Sequence, residues 1–328
     1  MILAIETSCD ETAAAVVRDG REVLSNVVSS QVDLHAEFGG VVPEVASRAH
    51  LDLIVPVVRQ ALAEADVRPA DLTAVAATHG PGLVGALLVG VSAAKALSVA
   101  WNLPYVGVNH MEGHLFATLL ERPDLPLPAV VLLVSGGHTL LVEMREPGRY
   151  RLLGSTVDDA AGEAFDKVAR YLGLGYPGGP LIDRLAVTGD RTAIRFPRGL
   201  LNEGLDFSFS GMKTAVVNYV RKHPDADNAD LSAGFQEAVV DVLVTKALRA
   251  AESVGAASVC LGGGVAANSR LREVFAERIT EAGLTALVPA RSFCTDNAAM
   301  IAAAASWRLA NDGPTPLDDG ADPSLRLL

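Results

Sequence analysis

The same order of predicted elements occurs twice along this chain. Residues 1–17, MILAIETSCDETAAAVV, have the pattern of two apolar strands joined by a short polar turn. Residues 130–143, VVLLVSGGHTLLVE, repeat that pattern around a Gly-Gly turn. A small-residue strand, a glycine loop and a helix follow each hairpin, in residues 73–97 and 257–278. Because a pattern repeated on this scale indicates two similar units, we predict a duplicated α/β protein.

The second copy of the pattern is longer than the first, because its hairpin and its strand-loop-helix unit lie farther apart. We assign the difference to a helical insertion at about 157–215, and the proline-rich residues 121–128 to a linker. We therefore predict three parts, of which the last is a flexible tail. They are a first subdomain of residues 1–120 with a helix at 297–310, a second subdomain of residues 128–296, and the tail at 311–328.

Composition excludes several classes of protein. Half of the 328 residues are apolar and 20% are charged, which excludes a disordered chain. The three cysteines are too few and too scattered for a disulfide framework or a cysteine zinc site. The apolar run before Glu6 is too short for a secretory signal, and the near-apolar stretch at 83–94 is shorter than the roughly 20 residues of a membrane span. We therefore expect a cytoplasmic protein that does not contact a membrane.

The formal charge of −12 argues against nonspecific coating of DNA. A basic strip of four arginines interrupts this acidic background: Arg184, Arg191, Arg195 and Arg198. Arginine forks bind phosphate well, but the strip is equally compatible with a solvated face. In that second interpretation the arginines pair with Asp183, Asp190 or Glu203.

Two glycine-rich turns follow predicted strands, at Ser135–Gly137 and at Gly262–Gly264. Glycine lets the main chain approach a phosphate or carboxylate closely, although it also serves as a packing device after a strand. Neither turn is a Walker loop or a GxGxxG motif. Two similar halves facing each other would form a cleft lined by both turns, as in actin-like, Hsp70-like and sugar-kinase folds.

His110 and His114 in NHMEGHL are spaced i and i+4, so on a helix they share one face and can bind one metal ion. Two core or capping histidines would give the same spacing. Glu112 lies at i+2 and points elsewhere, so this is not the HExxH geometry of a zinc peptidase. The best candidate for a third ligand is Asp296 in FCTDN, at the start of a predicted helix.

Further polar residues lie in predicted turns, where a solvated role and a role in a site are both open. Asp10 and Glu11 lie in the first hairpin turn, and Asp166 and Asp183 flank the loop GYPGGP. Asn268 begins the helix after the triple glycine, where capping is its ordinary role. Lys213 lies in the predicted glycine turn of FSFSGMKT and is either a phosphate contact or a surface lysine.

The chain resembles the tRNA adenosine threonylcarbamoyltransferases, called TsaD in bacteria and formerly Gcp or O-sialoglycoprotein endopeptidase. The resemblance covers residues 1 to about 310 without a departure at any position of expected function. It rests on seven motifs in the family's order: MILAIETSCDETAAAVV, GVNHMEGHL, LLVSGGHT, GEAFDKVARYLGLGYPGGP, DFSFSGMKTA, GGGVAANSRLR and FCTDNAAMIA.

The resemblance implies two actin-like (Hsp70-like and sugar-kinase-like) subdomains and one divalent metal, iron or alternatively zinc. The implied reaction transfers a threonylcarbamoyl group from threonylcarbamoyl-AMP to the exocyclic amine of the adenosine beside the anticodon, in tRNAs that read codons beginning with A. The family's metal ligands match His110, His114 and Asp296, which implies a metal that bridges the two halves. Its substrate contacts match Leu133, Val134, Ser135, Gly136, Gly137, Asp166, Gly179, Asp183 and Asn268.

ATP or ADP is a further expected occupant of the same cleft. For removal of the amine proton, Asp10 and Glu11 are candidates by position only. The resemblance implies tRNA as a partner, together with a paralogous actin-like protein, TsaB, and a small P-loop ATPase, TsaE. Two other functions remain open at this point, a metal-dependent glycoprotein endopeptidase and an actin-like ATP hydrolase or kinase.

Overall fold

The structure is a computed structural model that describes residues 1–327. Strands occupy the positions expected for two hairpins and for the strand that follows each of them. The first five strands are β1 (Ile2–Glu6), β2 (Glu11–Arg18), β3 (Glu22–Ser30), β4 (Ala74–Gly80) and β5 (Tyr105–Asn109). The next five are β6 (Ala129–Val134), β7 (Thr139–Glu146), β8 (Arg149–Ser155), β9 (Ser258–Gly262) and β10 (Thr285–Leu287).

Helices connect and cover these strands. The first four are α1 (Val32–Ala36), α2 (Pro43–Glu64), α3 (Val84–Trp101) and α4 (His110–Glu121). The next five are α5 (Ala161–Tyr171), α6 (Gly178–Ala186), α7 (Ser210–Lys222), α8 (Asn228–Val254) and α9 (Ser269–Glu281). The last is α10 (Ala298–Asn311).

The two sheets have the same topology, which confirms the predicted duplication. One sheet has the order β3-β2-β1-β4-β5, and the other has the order β8-β7-β6-β9-β10 when it is taken in the matching direction. In each sheet the hairpin strands pair antiparallel and the later strands pair parallel, with Leu3 opposite Val75 in the first sheet and Val131 opposite Cys260 in the second. The fold is therefore α/β with two five-stranded mixed sheets.

The chain divides into two compact units, of which unit 1 comprises Met1–Asp124 with Asp296–Leu328 and unit 2 comprises Leu125–Thr295. In unit 1, Leu3 and Ile5 of β1 pack with Ile54 of α2 and Val91 of α3. The alternate side chains of β1 face the other way, where α10 packs against β1 and α4. Because α10 is rich in buried alanines, it approaches this face of the sheet closely.

In unit 2 the elements between β8 and β9 are α5, α6, α7 and α8, whereas α1 and α2 lie at the equivalent place in unit 1. The predicted insertion corresponds to α5, α6 and the first part of α7, which continues to Lys222. Its core contains Phe165 and Phe235, whose rings meet edge to face with centroids 5.1 Å apart. The insertion is thus built into the hydrophobic core of unit 2.

The segment after α10, which the sequence predicts to be a flexible tail, forms hydrogen bonds with β5. Thr315 N donates to Tyr105 O at 2.8 Å, and Gly107 N donates to Thr315 Oγ1 at 2.9 Å. Asn109 Nδ2 donates to Arg326 O at 3.1 Å. The physical reason is that β5 is an edge strand, whose unpaired backbone groups need partners. The segment supplies those partners.

One helix of the described chain, α3, is long and apolar enough to cross a membrane by length and composition alone. It extends past Lys95, where the near-apolar stretch in the sequence ended, to Trp101, and the Lys95 Nζ donates to Leu317 O at 2.9 Å. Val91 and Ala94 of α3 are buried in the core of unit 1. The core helix of a water-soluble unit meets the same criterion.

Candidate functional site

Helix α4 presents two histidines one turn apart. The Asn109 side chain accepts hydrogen bonds from Met111 N at 2.9 Å and from Glu112 N at 3.3 Å, so the helix begins directly after β5. His110 and His114 are both buried, and their ring centroids lie 4.8 Å apart. The predicted i, i+4 pair is therefore formed, and both rings lie on the same side of α4.

Asp296 completes this cluster. Its Oδ1 lies 3.4 Å from His110 Nε2 and 3.3 Å from His114 Nε2. The sequence places Asp296 at the start of a helix, but the cap of α10 is Asn297, whose side chain accepts from Met300 N at 3.1 Å. The Asp296 carboxylate is therefore left to face the histidines.

All three residues belong to unit 1, because the chain re-enters that unit at Asp296. The expectation that these three ligands come from both halves of the protein is therefore wrong. The predicted second subdomain ended at Asp296, one residue beyond the end of unit 2 at Thr295. Asp296 lies instead beside the histidines of the first unit.

The cluster fits a transition-metal ion. Its three ligand atoms lie within 4.8 Å of one another. Both ring nitrogens of His114 are buried and lack a hydrogen-bond partner, which is rare for buried polar groups, and a cation bound at Nε2 would satisfy one of them. Two imidazole nitrogens and one carboxylate oxygen suit zinc or non-haem iron. Burial raises the pKa of Asp296, but the His110 charge and hydrogen bond outweigh burial and hold that pKa below its usual range, so the carboxylate is ionised.

Glu6, at the end of β1, is a residue that sequence reasoning missed. Its side chain is fully buried, and its Oε2 lies 3.0 Å from His110 Nδ1. Thr78 Oγ1 donates to the same oxygen at 2.5 Å, and Ser8 N donates to Oε1 at 2.5 Å. The available signal was a glutamate directly after an apolar strand, where a buried carboxylate requires partners.

Asp10 lies in the turn between β1 and β2, and Glu11 is the first residue of β2. Burial, followed by the charges of Asp296 and Asp10, raises the pKa of Glu11 to about 10. Burial and the same two charges raise the pKa of Cys9 well above its usual value. Glu11 therefore shares the electrostatic environment of the cluster formed by His110, His114 and Asp296.

Glu112, between the two histidines in sequence, has a structural partner. Its carboxylate accepts a charge-assisted hydrogen bond from Arg308 Nε of α10, and its side chain is almost completely buried. This ion pair joins α4 to α10, the two helices that carry or adjoin the metal cluster. The structure thus agrees with the expectation from sequence that Glu112 does not occupy the position of a peptidase base.

The first glycine turn of unit 2 connects β6 and β7. Ser135 N donates to His138 O at 2.8 Å and His138 N donates to Ser135 Oγ at 3.1 Å, which closes a tight turn. A Cβ atom added at Gly136 or Gly137 would meet no atom within 4 Å, so packing does not require glycine at either position. Open space at both positions leaves the backbone accessible to a ligand.

The second glycine turn differs. Gly263 has a φ of +83°, and a Cβ there would lie 2.5 Å from Val134 O, so backbone conformation and packing both require glycine. A Cβ atom added at Gly264 would meet no atom within 4 Å. The turn thus combines a packing glycine with an accessible one.

The other predicted substrate contacts all lie in unit 2, and several have structural partners. Leu133 and Val134 are buried in β6, so only their backbone is available to a ligand. Gly178 N donates to Asp166 Oδ1 at 2.7 Å. Asp183 accepts from Ser269 Oγ at 2.7 Å and from Ser269 N at 3.0 Å.

Asn268 caps α9 by accepting from Leu271 N at 2.9 Å, and it donates to Gln236 Oε1 at 2.7 Å. Its ordinary capping role is therefore present. Gly179, by contrast, has no atom within 4 Å of an added Cβ. Asp183 and Asn268 both bind the start of α9, Asp183 through Ser269 and Asn268 as the helix cap.

The four arginines of the basic strip differ in their exposure and in their contacts. Arg198 Nε lies 3.2 Å from Asp241 Oδ2 and its Nη1 donates to Phe196 O at 2.7 Å. Arg184, Arg191 and Arg195 are exposed, and within residues 1–327 no carboxylate lies within ion-pair distance of them. Asp183, Asp190 and Glu203 were the expected partners if the strip is a solvated face. None of them forms an ion pair with these four arginines in the described chain. Lys213 is exposed on the first turn of α7.

Comparison with known families gives a direct match. Residues 22–303 match the family model described as "TsaD: tRNA N6-adenosine threonylcarbamoyltransferase". The curated tRNA N6-adenosine threonylcarbamoyltransferase of Moorella thermoacetica is 55% identical over 331 residues, which covers 99% of this chain and 97% of that protein. The protein of the same name from Anaeromyxobacter sp. is 56% identical, with 99% of both chains covered.

Solved structures match the fold at low identity. HypF of T. kodakarensis aligns with a TM-score of 0.65 and 14% identity, over 95% of this chain and 48% of that one. Component A of the (R)-2-hydroxyglutaryl-CoA dehydratase of Acidaminococcus fermentans aligns with a TM-score of 0.57 and 15% identity, over 94% of this chain and 98% of that one. These matches confirm the predicted actin-like fold.

Proposed function

Because this chain belongs to the TsaD family of tRNA N6-adenosine threonylcarbamoyltransferases, we propose that it transfers a threonylcarbamoyl group from threonylcarbamoyl-AMP. The proposed acceptor is the exocyclic amine of the adenosine beside the anticodon, in tRNAs that read codons beginning with A. The chain is a transferase of this class, and the observation that carries the finer proposal is 55% identity along almost the whole length of a relative with that name.

His110, His114 and Asp296 are the proposed ligands of one divalent metal, iron or alternatively zinc. The unsatisfied nitrogens of His114 support this assignment. A metal with three protein ligands keeps open positions and supplies Lewis acidity toward a phosphate or carbonyl oxygen.

Unit 2 is proposed to bind the adenylate. A mixed anhydride with AMP as its leaving group needs donors for its phosphate and carbonyl oxygens. The open backbone at Gly136, Gly137 and Gly179 supports close approach of such a ligand. The proposed contacts are Leu133, Val134, Ser135, Gly136, Gly137, Asp166, Gly179, Asp183 and Asn268. ATP or ADP would use the same contacts.

Removal of the proton from the attacking amine is assigned to Asp10 or Glu11. With its pKa near 10, the Glu11 carboxyl holds a proton at neutral pH, so it cannot accept one until that pKa falls. The charge of Asp296 is the second cause of the raised value, after burial, and neutralisation of that charge lowers it. Burial and the Asp10 charge would still favour the protonated form of Glu11, so Asp10 stays the alternative base.

The proposed partners are tRNA, the actin-like paralogue TsaB and the ATPase TsaE, and the proposed location is the cytoplasm. A chain with a formal charge of −12 repels a polyanion, which supports the need for partner subunits in tRNA binding. The exposed arginines at 184, 191 and 195 are the proposed local contact for tRNA phosphates.

No observation favours the two alternative functions. The engagement of Glu112 with Arg308 argues against an endopeptidase of the HExxH type. The likeness to solved structures concerns the fold and carries no evidence for an ATP hydrolase or kinase.

A reconstituted transfer assay tests the proposal. The purified chain with its partners is incubated with synthetic threonylcarbamoyl-AMP and a tRNA transcript, and the nucleosides are analysed by mass spectrometry. We expect the modified nucleoside with the adenosine-containing transcript and none when guanosine replaces that adenosine. Consumption of ATP without the adenylate, or cleavage of a glycoprotein in place of transfer, would favour an alternative.

A further inference from the structure

The fully buried carboxylate of Glu6 connects the sheet of unit 1 to a proposed metal ligand. It accepts hydrogen bonds from Ser8 N, from Thr78 Oγ1 and from His110 Nδ1. Three donors therefore hold an ionised carboxylate in the core.

We infer that Glu6 is a positioning residue that keeps the proton on His110 Nδ1 and so presents His110 Nε2 to the metal. This inference rests on the proposed metal site. A neutral imidazole carries one ring proton, so an acceptor at Nδ1 leaves the lone pair on Nε2. The Nε2 atom faces Asp296, as a ligand atom must.

Ser8 is the competing acceptor for the same proton. Its Oγ lies 3.2 Å from His110 Nδ1, against 3.0 Å for Glu6 Oε2. A hydrogen bond to an ionised carboxylate is about twice as strong as one to a neutral hydroxyl. Glu6 is therefore the dominant acceptor of the Nδ1 proton.

The two histidines differ in the hydrogen bonding of their Nδ1 atoms. His114 Nδ1 has no hydrogen-bond partner, whereas His110 Nδ1 is held by Glu6. An outer carboxylate fixes the orientation of a ligating imidazole and raises its basicity, and loss of such a partner reduces metal affinity by about 10- to 100-fold. Glu6 thus makes His110 the better oriented of the two nitrogen ligands.

Three variants separate this role from a structural one. Glu6→Gln removes the charge at nearly constant volume, and we expect its affinity for Zn²⁺, measured by competition with a chromophoric chelator, to fall about 10- to 100-fold. Ser8→Ala should retain wild-type affinity within about twofold. The matched control is Glu143→Gln, which alters another buried strand carboxylate that binds Arg145 and Arg151 in unit 2. That control should lose stability and keep its zinc affinity.

A measurement on the zinc-loaded wild-type protein keeps the inference testable if Glu6→Gln does not fold. Nitrogen-15 NMR should show a slowly exchanging proton on His110 Nδ1, shifted downfield by its carboxylate acceptor. A proton on Nε2 instead, or unchanged zinc affinity in folded Glu6→Gln, would overturn the inference. Absence of zinc binding by the wild type would contradict the metal site itself, which is a different result.

Discussion

His114 Nε2 lies 3.3 Å from Asp296 Oδ1 but forms no hydrogen bond with it or with any other group of the described chain. Their contact brings the second turn of α4 to the residue that precedes the cap of α10. Buried imidazole nitrogens without a hydrogen bond are costly in the metal-free protein. A cation bound at Nε2 would remove part of that cost, so metal binding and folding of unit 1 should be coupled.

The first prediction concerns metal retention. His114→Ala and His110→Ala should each lose the bound metal, because two remaining ligands do not hold an ion in an open site. Metal content by mass spectrometry and threonylcarbamoyl transfer should both fall to background. His223→Ala serves as the control, because that histidine lies in unit 2, where its ring packs at a tilt against Tyr219. Full metal content and full activity in either cluster variant would remove the metal hypothesis.

The sequence predicted the proposed metal ligands but not the residues that surround them. The i, i+4 histidine spacing and the duplicated pattern follow from local periodicity, so the sequence alone predicted the sheets, α4 and the histidine pair. Glu6 was missed because its partner Thr78 lies on β4, and only the parallel pairing of β1 with β4 brings them together. The hydrogen bonds between the tail and β5 could not be predicted, because composition does not reveal that β5 is an edge strand in need of partners.

The second prediction uses adjacent glycines at the start of α6. A Cβ at Gly178 would lie 2.6 Å from Asp166 Cα and 2.6 Å from Phe165 O, so Gly178→Ala should destabilise unit 2 by about 1–3 kcal/mol. Gly179→Ala meets open space and should preserve the thermal midpoint. If Gly179 contacts the adenylate, the second variant should still bind it more weakly in calorimetry. Equal adenylate affinity in Gly179→Ala and wild type would remove Gly179 from the donor site.

The third prediction concerns tRNA binding by the exposed arginines. Replacement of Arg184, Arg191 and Arg195 by Ala should weaken binding of all cognate tRNAs in the complete complex. The slope of log affinity against log salt should flatten by roughly one unit for each arginine that binds a phosphate in the wild type. Adenylate affinity should not change.

Arg198→Ala is the matched control, because Arg198 already pairs with Asp241. It should reduce stability slightly and leave the salt slope unaltered. An unchanged slope in a folded triple variant would instead move the tRNA contact to the partner subunits or to Lys213, Arg221 and Lys222.

The fourth prediction concerns pH and the start of α7. Asp158 accepts hydrogen bonds from Phe209 N at 2.8 Å, from Ser210 N at 3.2 Å and from the hydroxyls of Ser208 and Ser210. Burial raises the pKa of Asp158, but these hydrogen bonds outweigh burial and lower it. A lowered folded-state pKa stabilises the fold above the unfolded value of about 4, and this stabilisation is lost as pH falls through the folded pKa.

Asp158→Asn should therefore reduce the free energy of unfolding by about 1 kcal/mol at pH 7, as loss of a helix cap does. The difference from wild type should shrink when the urea midpoints are compared near pH 3. A difference of the same size at both pH values would show that the carboxylate charge has no part in the effect.

The most direct test of the proposed reaction is the nucleoside content of tRNA from cells depleted of this protein. Mass spectrometry should show loss of threonylcarbamoyladenosine on depletion, its return with the wild-type chain, and its continued absence with a folded His114→Ala variant. Unchanged threonylcarbamoyladenosine after depletion would contradict the proposed reaction, and full recovery with His114→Ala would contradict the role of the metal cluster in it.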